Sequence, residues 1–523
     1  MHTASSGWDL VVVGAGSAGA ALAARCAERG MRVLLLEAGA DYRSAEMLDV
    51  WRLPNTATAL MNPNTRYAMA WTDLTAQRTD AQPIGIYWRG KGVGGSSAIN
   101  GQIAIRPPLE DFDLWASMGC VGWSADDALP YLARLETDEE FASAPYHGDS
   151  GPIPIHRTPD YSWGKVDRAL REAGLAAGFK WASDVNAPGA TGVSPLPSST
   201  SAGRRVTTND AYLEPRRDLP NLVVRGGALV DRVMFNGRRA IGVEIVTSSG
   251  VYRETGAEIV LSAGAIHTPA ILMRSGIGPS TRVRSIGVPV RLDLPVGEGL
   301  QDHPALMIPM MLSGRGEPGS LLERHTNCTI RYTEDGAGSQ ANDMMIIALN
   351  MNVLSHSDAT LDGNVGGVCV WLNQTESRGY VEVRSADPHC QPLVHERLLS
   401  ARHDRERLTR GVYTAVDLVR RPEMRAICRV PVEDVRPEFW DALQAGQTSL
   451  DDFLLLHVVD GQHATSTCRM GFDDTATSVV DSDCRVLGTD GLRVVDASVL
   501  PTVPRANTNL VAIMLGEVMA DRL

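Results

Sequence analysis

The chain has 523 residues, of which 44% are hydrophobic and 21% charged, and its formal net charge is -13. This length and composition indicate an ordinary folded protein with more than one domain. The negative charge argues against nucleic acid or an anionic membrane surface as a partner.

Apolar runs and cysteines place further limits on the chain. No apolar run reaches the roughly 20 residues that a membrane span needs. Residues 1–7 are too short for a signal peptide and carry no basic stretch. The eight cysteines form no C-x-x-C pair, so we expect reduced thiols and no metal site. Together these features predict a cytoplasmic protein.

Residues 8–39 have the pattern of a βαβ unit. An apolar run at 10–13 predicts a strand, and Gly14, Gly16 and Gly19 give the spacing G-x-G-x-x-G. A small-residue helix at 18–29 and an apolar run at 32–36 follow, and the second run ends at Glu37. The glycines permit a tight turn, close approach of a pyrophosphate and close packing of the helix.

This order favours dinucleotide binding over an ordinary glycine-rich turn. The helix N-terminus offers free N–H groups to phosphates. Glu37 can accept hydrogen bonds from a ribose hydroxyl, and an acid at this position argues against the 2′-phosphate of NADP. FAD and NAD both remain open from this stretch alone.

A second glycine-rich stretch, RGKGVGGSSAING, occupies residues 89–101. Its glycines allow the backbone to press against a ligand. Ser96 and Ser97 suit the start of a helix whose N–H groups face an anion. The alternative is a flexible surface loop.

The rest of the chain divides into pieces of different character. Residues 221–225 and 237–247 predict strands of a small meander, and 258–261 predicts a strand that leads into a helix over 265–278. Alternating stretches at 343–351 and 379–384 predict an antiparallel sheet within residues 310–455. Residues 491–496 predict a strand ending at Asp496, and a helix follows at 508–522.

These motifs together resemble the glucose–methanol–choline (GMC) oxidoreductases, FAD enzymes that act on alcohols. Residues 90–113 and 264–278 follow two signatures of that family. The stretches LPVGEGLQDHP at 294–304 and QHATSTCRMG at 462–471 are similar to two others. Among members, the chain looks closest to the hydroxymethylfurfural oxidase and aryl-alcohol oxidase types.

The resemblance implies an α/β fold: a Rossmann-like FAD-binding domain with an inserted α+β substrate-binding domain on an antiparallel sheet. The expected FAD domain comprises residues 1–155, 205–309 and 456–523. The expected substrate domain comprises residues 156–204 and 310–455.

The resemblance also implies site residues. The catalytic pair would be His463 and Asn507, and the substrate pocket would include Ile103, Trp371 and Gln462. The expected contacts to FAD are Gly14, Gly16, Ser17, Ala18, Gly19, Glu37, Ala38, Arg89, Gly92, Gly94, Gly95, Ser96, Asn100, Gly101, Ile103, Val230, Ala263, Gly264, Asp496, Ala497, Asn507 and Thr508.

The expected chemistry is oxidation of a primary alcohol to an aldehyde. The His463 imidazole can accept the hydroxyl proton, Asn507 can hold the substrate oxygen, and the hydride passes to flavin N5. Oxygen or another acceptor then takes the electrons. For Asn507 the alternative role is a helix N-cap, and we expect His267, His303 and His457 to be structural.

The chain departs from the family at several positions. Ile99 stands where some members link FAD through a histidine, so we expect FAD to be non-covalent. Gln462 replaces an aromatic residue, which favours a polar substrate unless its amide points away from the substrate. Ser466 replaces a glycine, and Gly461 stands where some oxidases have valine. Two alternative hypotheses for the function remain: a flavin-bound lyase that cleaves cyanohydrins, and a non-catalytic flavoprotein.

Overall fold

The computed structural model describes residues 7–62, 64–313, 324–334, 336, 340–351, 365–472 and 476–523. Residues 1–6 lie outside the described part. They include most of the stretch 1–7 that we expect to be too short for a signal peptide. Within the described ranges, no helix is both long enough and apolar enough to cross a membrane.

A parallel sheet contains the predicted βαβ unit. Strand Trp8–Val13 pairs in parallel with Val33–Leu36 on one side and with Gly250–Leu261 on the other. Helix Ser17–Glu28 joins the first two strands. Strand Leu492–Val494 extends the sheet beside Gly250–Leu261. The predictions for residues 8–39 and for the strand before Asp496 are confirmed.

The meander next to this sheet differs from the prediction. It consists of Leu229–Asn236, Arg239–Thr247 and Gly250–Leu261 in antiparallel order. Strand Leu222–Arg225 instead pairs in parallel with Val33–Leu36 at the sheet edge, so placing residues 221–225 in the meander was wrong. The true first strand was missed because Asp231 interrupts its apolar pattern, and that carboxylate binds Arg274 at 2.9 Å.

A six-stranded antiparallel sheet forms the second core and confirms the antiparallel sheet predicted from 343–351. Strand Gly379–Glu382 belongs to a separate five-stranded sheet, so placing 379–384 in the same sheet was wrong. Helices Lys165–Ala176 and Arg402–Val419 contribute to the same apolar cluster as its strands. In sheet order the strands are Val459–Asp460, Pro304–Met311, Val365–Leu372, Met344–Leu349, Cys328–Tyr332 and Gly192–Pro195.

The strand pairing bears on the domain boundaries. Strand Gly192–Pro195, from the expected segment 156–204, pairs with Cys328–Tyr332 from the segment 310–455. Strand Pro304–Met311 crosses the expected boundary at 309/310 and pairs only within the antiparallel sheet. We therefore propose that the boundary lies before Pro304.

Shorter elements complete the fold. A five-stranded sheet contains Glu298–Leu300, Gly379–Glu382, Leu393–His395, Thr75–Gln77 and Gly85–Ile86. Smaller sheets contain Glu136–Asp138, Ile153–Arg157 and Pro197–Ser198, and Thr200–Ser201 with Arg204–Arg205. The other α-helices are Asp49–Arg52, Thr56–Met61, Glu110–Ser117, Ala125–Arg134, Gly264–Arg274, Ser280–Ser285, Pro422–Arg425, Pro437–Ala445, Gln447–His457 and Asn509–Arg522.

A buried ion-pair network surrounds His147. Its Nδ1 lies 2.5 Å from Glu136 Oε1, and its Nε2 lies 2.9 Å from Asp184 Oδ2. Burial lowers the pKa of His147, but the hydrogen bonds to Asp184 and Glu136 outweigh it and raise the pKa above the ordinary value of 6.5. The two carboxylates therefore favour the protonated form of the imidazole between them.

We expect His147→Gln to lower the free energy of unfolding by about 1–3 kcal/mol near pH 6, because it removes two buried charge-assisted hydrogen bonds. The loss stays moderate because Arg106 still pairs with Glu136 and Arg157 still pairs with Asp184. The folded pKa is raised, so this stabilisation is complete below about pH 6.5 and is lost as the pH rises through the folded value. Urea denaturation of the FAD-loaded protein at pH 6 and pH 9 measures both effects. The control His156→Gln removes a part-exposed pair with Glu139 and should cost at most about 1 kcal/mol. A His147→Gln deficit that does not change with pH would contradict the argument.

Candidate active site

The turn after the first strand has the geometry that its glycines predict. Gly14 has φ of 104°, and a Cβ there would lie 2.4 Å from Ser262 O. A Cβ on Gly19 would lie 2.0 Å from Gly14 O. Helix Ser17–Glu28 has no side-chain cap, so its first N–H groups remain open to a phosphate.

Glu37 lies at the end of the second strand, and its carboxylate is already bound by backbone. Oε2 accepts a hydrogen bond from Ala15 N at 3.0 Å, and Oε1 accepts from Gly39 N at 2.8 Å and Gly92 N at 3.0 Å. An ionised carboxylate has about four acceptor positions. Glu37 can therefore hold the two glycine-rich loops together through hydrogen bonds and still accept a hydrogen bond from a ribose hydroxyl.

The second glycine-rich stretch packs directly against the first. A Cβ on Gly95 would lie 2.7 Å from Gly16 Cα, and one on Gly90 would lie 2.1 Å from Gly95 O. Residues Gly95–Ala98 form a single 3-10 turn, so the prediction that an α-helix begins at Ser96 was wrong. The left-handed conformations of Gly94 and Gly95, with φ of 87° and 51°, produce this tight turn.

One cavity runs along these elements and brings together residues from distant parts of the chain. Three predicted cofactor residues do not line it: Gly19 packs under Gly14, and the N–H groups of Gly92 and Gly94 bind Glu37 and Ala15. The predicted site residues that do line it are Gly14, Gly16, Ser17, Ala18, Glu37, Ala38, Arg89, Gly95, Ser96, Asn100, Gly101, Ile103, Val230, Ala263, Gly264, Trp371, Gln462, His463, Asp496, Ala497, Asn507 and Thr508.

His463 and Asn507 meet in the cavity wall. Asn507 Nδ2 lies 3.1 Å from His463 Nε2, and Asn507 Oδ1 is buried without a partner among the described atoms. Helix Asn509–Arg522 begins one residue after Thr508, which is its N-cap. The alternative role of Asn507 as a helix N-cap was therefore wrong, and its amide is free to face a ligand.

A chain of hydrogen bonds determines which nitrogen of His463 carries the proton. His303 Nε2 lies 3.0 Å from Pro504 O, which can only accept, so this nitrogen bears the proton of His303. His303 Nδ1 then has a lone pair and accepts from His463 Nδ1 at 2.9 Å. A neutral His463 consequently presents the lone pair of Nε2 to the cavity and to Asn507 Nδ2.

Burial keeps both rings neutral. It lowers the pKa of His303 to about 4. Burial, followed by the influence of His303 and Arg89, lowers the pKa of His463 well below its ordinary value of 6.5. His463 is thus an unprotonated base throughout the neutral pH range. The expectation that His303 is structural misses its contact with this base.

Asp302 fixes the backbone of both histidines. Its carboxylate accepts from His463 N at 2.8 and 2.9 Å and from His303 N at 2.7 Å. Tyr87 OH donates to the same group at 3.0 Å. Asp302 could form a metal-ligand cluster with the two histidines by distance, but hydrogen bonds already occupy the facing atoms of all three residues.

The Gln462 amide is satisfied inside the protein. Its Oε1 accepts from Arg89 Nη1 at 3.2 Å, and its Nε2 donates to Asp460 Oδ1. Gln462 lines the cavity, but the argument that an unpaired amide requires a polar substrate is wrong. The signal was present in the sequence as Asp460, two residues earlier, which also holds the backbone N–H of Gln462.

Asp496 joins two segments at the cavity. Its carboxylate accepts from Gly264 N at 2.9 Å, Thr268 Oγ1 at 2.6 Å and Ser498 N at 2.8 Å. The strand Leu492–Val494 is thereby attached to the start of helix Gly264–Arg274. Asp496, two residues after the strand, thus holds together a surface on which a cofactor can lie.

Comparisons with known proteins agree with this arrangement. The sequence models of the GMC oxidoreductase family match residues 8–305 and 375–516. An uncharacterized GMC-type oxidoreductase of Rhodococcus erythropolis is 34% identical over 97% of each chain. An oxygen-dependent choline dehydrogenase of Paraburkholderia xenovorans is 34% identical over 99% of this chain and 95% of that one.

Solved structures show the same fold. Pyridoxine 4-oxidase from Mesorbium loti superposes with a TM-score of 0.89 at 28% identity, over 98% of this chain and 99% of that chain. A fungal aryl-alcohol oxidase superposes with a TM-score of 0.83 at 23% identity, over 99% and 98% of the two chains.

The fold and the cavity match those of flavin-dependent oxidoreductases. Within that class, this chain belongs to the GMC oxidoreductases. It is an FAD-dependent alcohol oxidoreductase with a mixed α/β fold.

Proposed function

We propose that the chain oxidises a primary alcohol to an aldehyde with His463 as the general base. The observation that carries this proposal is the Nε2 lone pair of His463, which faces the cavity beside Asn507 Nδ2 at 3.1 Å. Alcohols are also the substrates named for the choline dehydrogenase and pyridoxine 4-oxidase relatives.

The cavity fits FAD along its length. The glycine turn and the uncapped start of helix Ser17–Glu28 suit the pyrophosphate, and Glu37 suits a ribose. At the other end, the start of helix Asn509–Arg522 and the unpartnered Asn507 Oδ1 face the same space. FAD, when bound, supplies the acceptor for the hydride of the alcohol carbon.

The protein residues perform the proton transfer. An alcohol hydroxyl that binds both groups donates its proton to His463 Nε2 and accepts from Asn507 Nδ2, in place of their direct hydrogen bond. His463 Nδ1–H stays bound to His303, so the ring keeps its orientation as it becomes charged. The apolar Ile103 and Trp371 side chains line the same part of the cavity. Oxygen or another acceptor takes the electrons in a second half-reaction.

An anaerobic alcohol screen of the FAD-loaded protein, followed by admission of air, tests this function. We expect at least one primary alcohol to bleach the flavin absorbance and to yield the aldehyde. A lyase or a non-catalytic flavoprotein would show no bleaching with any alcohol. Recovery of the colour in air would identify oxygen as an acceptor.

The pKa of His463 predicts the pH profile of flavin reduction. Because burial holds this pKa well below 6.5, the base is already neutral at pH 6.5. We expect protonation of Nε2 to leave the reduction rate unchanged from pH 6.5 to 9 and to lower it only in more acid solution. Burial raises the pKa of Asp302, which binds the backbone of both histidines, to about 7. A step near pH 7 that persists in His463→Asn therefore belongs to Asp302. Anaerobic stopped-flow measurements give the rate, and a midpoint near or above pH 6.5 that is lost in His463→Asn would contradict the assignment.

The side chain at position 99 predicts how FAD is attached. Ile99 lines the cavity and offers no nucleophile for a covalent link. We expect acid precipitation to release stoichiometric FAD into the supernatant. Yellow colour that stays with the precipitate would show a covalent link through another residue.

A further inference from the structure

A polar patch in the cavity wall is not used by the proposed chemistry. We define the His325 patch as His325 and Asn100 in the wall, with Arg205 and Arg324 behind them. His325 is 5% exposed, and its Nδ1 has no hydrogen-bond partner in the described part of the chain. Asn100 Oδ1 accepts from Arg205 Nη1 at 2.7 Å, which leaves its amide N–H groups available as donors.

The two guanidinium groups of the patch are buried, and their hydrogen-bond partners among the described residues are all neutral. Arg324 donates to Gln102 Oε1 at 3.1 Å and to Gly101 O at 3.2 Å, and its Nε has no partner. Arg205 donates to Trp51 O, Ser97 O, Asn100 Oδ1 and Thr56 Oγ1. Two buried positive charges without a carboxylate are costly unless another anion approaches them.

The nearest acids of the described structure are engaged elsewhere. Asp167, the acid that acts on Arg324, accepts from the backbone of Asn327 and Cys328 and from the Asn350 amide. Asp210, which acts on Arg205, is bound to Thr207. Neither acid forms an ion pair with the patch.

The described wall of the cavity contains two carboxylates, Glu37 and Asp496. Both are held by backbone N–H groups at the cofactor loops. Asp302 and Asp460 lie close to His463 but do not line the cavity, and they accept hydrogen bonds from His463 N and Gln462 Nε2. The described wall therefore offers no free carboxylate near His463 to a cationic substrate such as a quaternary ammonium alcohol.

An apolar stretch connects the patch to the base. A Cβ added at Gly101 would lie 4.0 Å from His325 Nε2 and 4.0 Å from Ile103 Cδ1. Ile103 packs with Trp371, whose ring centroid is 5.7 Å from that of His463. A flat or apolar substrate body can lie along these side chains with its two ends at His463 and His325.

We propose that the substrate is a primary alcohol that also carries an anionic oxygen, such as a carboxylate, and that the His325 patch binds this group. Burial, Arg324 and Arg205 keep His325 neutral by lowering its pKa to about 3, so the ring can donate one N–H to the anion. Asn100 donates a second hydrogen bond, and the two guanidinium groups supply the charge. This inference rests on the proposed alcohol oxidation and names the substrate class of the same site.

Three matched alcohols test the proposal on the FAD-loaded enzyme: 4-(hydroxymethyl)benzoate, benzyl alcohol and 4-(hydroxymethyl)-N,N,N-trimethylanilinium. We expect kcat/KM for the carboxylate to exceed that for benzyl alcohol by about ten- to a hundredfold, the range of a charged hydrogen bond. The cation should be the poorest of the three, and choline should be equally poor. Equal values, or a preference for the cation, would overturn the proposal.

A binding measurement separates this proposal from the proposed function. Titration of the oxidised enzyme with 4-methylbenzoate and with 4-methyl-N,N,N-trimethylanilinium follows the flavin absorbance without turnover. We expect tighter binding of the carboxylate even if no alcohol bleaches the flavin. Tighter binding of the carboxylate without bleaching would reject the proposed alcohol oxidation but keep the anion site. Tighter or equal binding of the cation would reject the anion site.

Two variants locate the preference. His325→Phe keeps the ring volume and removes the donor, and Arg324→Met keeps the chain and removes the charge. We expect each to reduce the carboxylate-to-neutral ratio by about tenfold. If Arg324→Met does not fold, the ratio measured for His325→Phe alone decides whether the patch binds the anion. An unchanged ratio in His325→Phe would show that the anion binds elsewhere and would overturn the assignment.

Discussion

His463→Ala is expected to keep bound FAD but to lose about 10²–10⁴-fold in the rate of flavin reduction by alcohol, the range of general-base catalysis. The physical reason is the loss of the Nε2 lone pair that faces Asn507 at 3.1 Å. Anaerobic stopped-flow reduction measures this rate directly. The visible spectrum and FAD content of the variant show whether its cavity is intact.

His463→Asn is the matched variant, because an amide can form hydrogen bonds but cannot act as the base. We expect it to be nearly as slow as His463→Ala. Near wild-type reduction by either variant between pH 6 and 9 would show that His463 is not the base. A slow Asn507→Ala variant is less informative, because Asn507 adjoins the start of helix Asn509–Arg522 and its loss could also weaken FAD binding.

His303→Leu is expected to slow flavin reduction by about 10–100-fold, as the removal of an orienting partner commonly does at metal-bound histidines. Without the lone pair of His303 Nδ1 at 2.9 Å, the proton of His463 is free to move to Nε2 and block the base. His303 touches no substrate atom in this account and acts by positioning His463.

His303→Asn tests this positioning role against a purely structural one. Its side-chain oxygen can accept from His463 Nδ1, so we expect it to recover much of the lost rate. The leucine variant should also change the pH profile of reduction, which a simple packing defect would not. Equal rates and pH profiles for His303→Leu and His303→Asn would contradict the relay from Pro504 to His463.

Local motifs explain why part of the site could be predicted from the sequence. A Cβ on Gly14 or Gly19 would lie 2.4 or 2.0 Å from a backbone oxygen. The spacing of these glycines therefore predicts the tight turn between strand and helix. The strand Leu492–Val494 before Asp496 and the helix after Thr508 follow from similarly local patterns. The apolar run before each acid or glycine was enough to place these elements.

Contacts between distant segments explain what the sequence did not predict. His303 and His463 are 160 positions apart, and their contact depends on how two sheets pack. The same is true of the His325 patch, where Arg324 binds Gln102 across 222 positions. For Gln462, Asp460 two residues earlier was a local signal for the amide N–H groups, but the contact of its oxygen with Arg89, 373 positions away, had none.

Gly461 shows a departure from the family that the structure explains. A Cβ at this position would lie 2.7 Å from Trp371 Cζ3 and 2.8 Å from His463 Nδ1. The valine found here in some oxidases could not be accommodated without moving Trp371 or the base. The packing of Trp371 against His463 therefore explains the glycine at position 461. This explanation holds for oxygen and for any other electron acceptor.

The proposed enzyme removes hydrogen from an alcohol carbon and passes it to bound FAD. Single-turnover reduction by an alcohol deuterated at its carbinol carbon, compared under nitrogen with the ordinary alcohol, measures this transfer itself. We predict that both alcohols bleach the flavin, that the deuterated alcohol does so more slowly, and that each yields one aldehyde per FAD. Aldehyde formation without bleaching, or no bleaching with any primary alcohol, would show that FAD does not accept this hydrogen.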